Sequence, residues 1–140
     1  METIKSYTDI SQSKKLTEIL PIESSDNHYW RNGYNNYICG LGNSAELKEK
    51  FEEKGLKYLP CWSVAALLNV MPQINDWITP HGHKNDKLSQ FEPKICKVWE
   101  HSIIPSFKVT YGDKLSTDAY DSPIDACVAM IEKLHELKML

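Results

Sequence analysis

The sequence predicts one α+β domain, an α/β sandwich. N-terminal, central and C-terminal helices pack on a mainly antiparallel sheet of about three to five strands. Three observations predict it. Four stretches repeat their apolar residues at helical spacing between capping residues and prolines. Two stretches, 94–100 and 106–111, alternate with period two and keep one polar face, the pattern of an antiparallel sheet wet on one side. Finally, 140 residues with 41% apolar and 25% charged side chains suffice for one core without a disulfide or metal staple.

A short flexible N-terminus, residues 1–7, precedes the first helix. Between Asp9 and Leu20, Ile10, Leu16, Ile19 and Leu20 share a face, Thr8 or Asp9 caps, and Pro21 stops the run. His28-Tyr29-Trp30, then Asn32-Gly33, then Tyr34 to Cys39 read as strand, tight turn and strand, because Asn-Gly suits a two-residue turn with positive φ at both positions. Asn43 with Glu46 three residues later has capping-box spacing. It begins a charged helix in which Leu47 and Phe51 lie one turn apart, and Gly55 is a natural terminator. Ser63 caps a helix apolar nearly all round, carrying Val64, Leu67, Leu68 and Met71 and expected at the centre of the core, with Trp62 packed at its start and Pro72 at its end. Residues of about 73–93 keep no period and read as a long loop. The two alternating strands follow. The last helix opens at Asp121 or Ser122, takes Pro123 in its first turn, and buries Ile124, Cys127, Val128, Ile131 and Leu134, ending near Leu137 or Lys138.

Three segments carry a resemblance: Gln12 to Asp26, Pro60 to Pro72, and Ser122 to Leu137. Together they resemble small uncharacterised bacterial proteins of phage and mobile-element neighbourhoods, and the last resembles the terminal helix of phage α/β sandwich domains. The resemblance implies a compact helix-and-sheet domain and no particular activity.

Composition narrows the function classes. The net charge is −3, and Arg31 is the one arginine, so nucleic acid is disfavoured as a partner. Lys94, Lys97 and Lys108 are the lysines that a nucleic-acid face would use. No apolar run approaches the length of a membrane span, so no membrane partner is expected. The opening residues lack a signal-peptide pattern, so a cytoplasmic location with four reduced cysteines is expected.

His81-Gly-His83 is the sharpest metal-ligating candidate, since two histidines across a glycine turn can reach one ion. Two solvated loop histidines are the simpler reading. No Cys-x-x-Cys pair is present, and Cys61 and Cys127 read as packed thiols. Gly40-Leu-Gly42 lacks the remaining residues of a phosphate loop. Tyr29, Trp30, Arg31 and Tyr34 form an aromatic and cationic group suited to binding a partner if it faces outward. The leading expectation is a small non-enzymatic accessory or protein-interaction protein without a cofactor, acting through a protein partner or self-association. The alternative is a metal-binding module or metal-dependent hydrolase using His81 and His83.

Overall fold

A computed structural model describes residues 5–75, 90–99, 103–112 and 114–140. The chain is α+β, and its helices pack on antiparallel sheets. It divides into two compact units, Met1–Val70 and Met71–Leu140, each with its own three-stranded sheet.

In the first unit, α1 (Ile10–Thr17) starts at a complete capping box. The Asp9 carboxylate accepts from Gln12 N at 2.8 Å, and the Gln12 side chain accepts from Asp9 N at 3.0 Å. Leu16 is fully buried on this helix, and Leu20 is buried just past its end. A 3-10 turn, Ile22–Ser24, leads into β1 (Asn27–Arg31). Next come β2 (Ile38–Leu41), α2 (Ala45–Glu53), β3 (Lys57–Cys61) and α3 (Val64–Val70). The sheet order is β2-β1-β3, antiparallel throughout.

Several details differ from the sequence expectation. Gly33 has φ +57°, but Asn32 does not have positive φ, so the two-residue turn does not form and residues 32–37 make a wider loop. The second strand therefore begins at Ile38, not Tyr34. The cap of α2 is Ser44, whose hydroxyl accepts from Leu47 N at 3.0 Å. Asn43 is engaged elsewhere: it accepts from the Tyr58 hydroxyl and donates to Ser25 Oγ. Lastly, β3 was not expected at all.

Trp62, fully buried beyond β3, donates from its indole to Ser24 Oγ at 3.0 Å. Ser63 caps α3 as expected, accepting from Ala66 N at 3.2 Å, while its own hydroxyl donates to the Asp26 carboxylate. Leu67 is fully buried, but Val64, Leu68 and Val70 are only half-buried, so α3 presents one face to the core rather than sitting inside it.

Thr8 is a buried hub. Its N–H donates to Trp62 O at 2.9 Å, its hydroxyl accepts from Trp62 N at 3.1 Å, and its carbonyl accepts from the Tyr29 hydroxyl at 2.7 Å.

In the second unit, the two-residue strands β4 (Ile74–Asn75) and β5 (Gln90–Phe91) pair with each other. Then β6 (Lys94–Val98), β7 (Ser106–Tyr111) and β8 (Leu115–Ser116) form a sheet in that order. Phe107, Val109 and Tyr111 alternate inward beneath α4 (Pro123–Glu136). Ser122 caps α4, accepting from Asp125 N at 3.2 Å. Ile124, Cys127, Val128, Ile131 and Leu134 are all buried, as their spacing requires, and Leu137 is exposed where the stripe ends. Among the described residues, no helix is long and apolar enough to cross a membrane.

Candidate functional site: the β2 edge of the first sheet

The residues grouped in sequence as an aromatic patch do not share one surface. Side chains alternate along β1, so Tyr29 and Arg31 lie on one face of the sheet and Trp30 on the other. Trp30 is half-buried, with its ring 5.7 Å from Phe51 of α2. His28 shares that face, stacked on Tyr58 at 5.1 Å and tilted against Phe51 at 5.4 Å. On the opposite face the Arg31 guanidinium lies over Tyr37 at 4.6 Å, and Tyr37 meets Tyr29 edge-on at 6.2 Å. Arg31 Nε is buried and has no hydrogen-bond partner among the described residues. Tyr34 stands fully exposed in the loop after β1.

His81 and His83 lie outside the described residues. Among the described residues no group of three metal-ligating side chains is assembled. Lys94 and Lys108 lie on one face of the β6-β7 pair, whereas Lys97, opposite Phe107, lies on the other, so the three lysines do not form one basic face. Cys61 and Cys127 are fully buried, and burial pushes both thiols up, Cys127 to about 12. Such thiols stay protonated and are poor nucleophiles. Gly40 and Gly42 do not form a phosphate loop, because Gly40 lies within β2.

The distinctive surface is an edge that sequence reasoning did not single out. The two outer strands of the β2-β1-β3 sheet are finished differently. Thr8 bonds Trp62 through both its N–H and its side chain, and Tyr7 bridges Ser63, so the backbone of Trp62 turns away from β1. Backbone direction alternates along a strand, so Pro60 and Tyr58 also face outward, while Cys61, Leu59 and Lys57 bond to β1. Pro60, which has no N–H to donate, thus occupies a position where none is needed. Pro60 offers no donor, Lys57 sets a charge on the strand, and Tyr7 and Thr8 cover the chain just past its end at Trp62 and Ser63, so the β3 edge is guarded by three of the usual devices.

The same alternation fixes β2. Asn27, Tyr29 and Arg31 bond to β3, so His28 and Trp30 bond to β2 through Gly40 and Ile38. The position of Gly42 agrees: its carbonyl turns inward and accepts from His28 Nδ1 at 2.7 Å, which places the imidazole proton on Nδ1. Cys39 and Leu41 therefore present their N–H and C=O groups outward. No further strand pairs with β2 among the described residues. Its side chains are open as well: Leu41 is 84% exposed, Ile38 52%, and Cys39 is exposed. The fourteen residues from Asn32 to Ala45 carry no charge, so neither lysine nor carboxylate guards this edge. Comparison with protein-family models, with curated proteins and with solved structures gave no match.

Proposed function

We propose that this chain is a protein-interaction module that docks an extended segment of a partner along β2 by strand addition. The observation that carries this reading is the bare edge: four outward backbone hydrogen-bonding groups at Cys39 and Leu41, flanked by exposed apolar side chains, with no charge over fourteen residues. Strand addition uses such an edge, since main-chain bonds supply affinity and alternate side chains supply selectivity. The guarded β3 edge of the same sheet supports the reading, because Pro60, Lys57 and the Tyr7–Thr8 contacts hinder addition there and β2 carries no such device. Tyr34 and Tyr37 stand on the loop leading into β2, with Arg31 at the end of β1 lying over Tyr37, so aromatic and cationic groups can extend the contact.

The test is site-specific crosslinking in the cell that makes the protein. A photo-reactive leucine analogue at position 41 is expected to capture a protein, and the same analogue at the buried position 67 is expected to capture none. Position 41 yielding no adduct would refute the proposal.

A further inference from the structure

We infer that the occupant of the β2 edge is a second copy of this chain, paired antiparallel about a two-fold axis at Gly40. This inference rests on the reading of β2 as a docking edge and adds the partner and the register. An isologous contact places the same patch on both subunits, so the strand must be complementary to itself. With the axis at Gly40, Cys39 of one copy faces the second copy's Leu41, and Leu41 faces its Cys39. This register joins the outward groups of both residues in four N–H···O bonds and leaves none of them unpaired. Moving the axis to Cys39 or Leu41 pairs one of these residues with a position outside β2, and so loses that match.

The side chains agree with the register. Cys39 and Leu41 project on one face of the sheet, so each exposed leucine comes to rest beside the other copy's cysteine. Gly40 faces itself across the axis as a pair without mutual hydrogen bonds, where antiparallel backbones approach most closely, and neither copy brings a Cβ there. A chain of net charge −3 repels its copy, but the uncharged run from Asn32 to Ala45 keeps like charges away from the line of contact. The result is a continuous six-stranded sheet with β3 at both ends, and β3 is the strand that Pro60, Lys57 and the Tyr7–Thr8 contacts guard against further addition. Growth beyond two is therefore disfavoured.

Sedimentation equilibrium of the purified chain from ~10 μM to ~1 mM tests this, a range that covers a contact of a few hydrogen bonds and two exposed leucines. The mass is expected to rise from 16.1 kDa toward twice that value. Leu41→Lys, an exposed substitution that sets two ammonium groups near the axis, is expected to hold the mass at the monomer. Mild oxidation of Leu41→Cys is expected to give a covalent dimer joining Cys39 to the substituted position, whereas Ile38→Cys, on the other face, is expected to give none. A wild-type mass held at 16.1 kDa across the range, or equal crosslinking of the two cysteine variants, overturns the inference. If the purified chain stays monomeric while position 41 captures a different protein in the cell, only the self-pairing fails. If it captures nothing, the docking edge fails too.

Discussion

Replacing Gly40 by alanine tests how tightly β2 is fitted to β1. A Cβ at Gly40 would lie 2.3 Å from His28 Nε2 and 2.7 Å from Cε1. Ordinary carbon contacts start near ~3.5 Å, so the ring must retreat by about 1.2 Å. It has little room to do so. His28 is 4% exposed, held at Nδ1 by Gly42 O at 2.7 Å, and stacked between Tyr58 and Phe51. Overpacking of this kind costs about 1–3 kcal/mol, and loss of the Nδ1 bond adds roughly 1 kcal/mol. Against this, removing a glycine from a strand gains about 0.5–1 kcal/mol. The net expectation is a loss of about 2 kcal/mol. Urea unfolding followed by circular dichroism is the assay, and the midpoint is expected to fall by roughly 1 M. In a His28→Ala background the alanine has space, so Gly40→Ala is expected to cost within about 0.5 kcal/mol of zero, a coupling near ~2 kcal/mol. An equal cost in both backgrounds, or a gain in the wild type, refutes the close-fit reasoning.

Three further outcomes are expected. In native protein at pH 8 a disulfide reagent should modify exposed Cys39 and part-buried Cys96 rapidly, and Cys61 and Cys127 only after denaturation; counting released thiolate over time checks this. Burial raises the hydroxyls of Tyr29, Tyr58 and Tyr111 from 10.0 to about 12. The unfolded chain loses the Cys61 and Cys127 thiol protons from 9.0 upward and these phenolic protons from 10.0 upward, while the folded chain keeps them, so stability begins to fall above pH 9.0 and falls more steeply between 10 and 12; urea midpoints across that range measure the fall. Ile131→Ala, fully buried on α4, should cost about 2–5 kcal/mol, whereas Leu137→Ala, exposed at the end of the same helix, should cost under about 0.5 kcal/mol by the same unfolding assay.

Local chemistry made much of the fold legible. Ser122 followed by Pro123 and an unbroken stripe to Leu134 states the start, face and end of α4 without outside help. The alternation of Phe107, Val109 and Tyr111 likewise states β7. Where the reading failed, tertiary structure decided between equally good local choices. Asn43 and Ser44 are both competent caps, and Asn43 lost the role because Tyr58 and Ser25 claim its amide. Lys57–Cys61 was hidden by Pro60, which argues against a strand unless its missing N–H faces an edge, and that depends on strand order. The candidate site was hidden for the same reason. The absence of charge from Asn32 to Ala45 is visible in the sequence, but which strand ends the sheet is not. The aromatic residues that drew attention are divided between two faces by the alternation that defines a strand.

The bonds at Thr8 have a consequence for how the first unit is born. They tie residue 8 to residue 62, 54 positions apart, so a chain leaving the ribosome holds Thr8 without its partner until almost the whole unit has been made. Loop closure over such a span comes late, after the local helices and the β1-β2 hairpin. Before that closure Trp62 lacks its backbone partner and the end of the β3 border is uncovered, so a nascent chain exposes more unpaired backbone than the folded unit. Tyr7 and Thr8 thus act as a clasp fastened last, and disrupting their bonds to Trp62 and Ser63 should leave this border of the sheet more prone to aggregation.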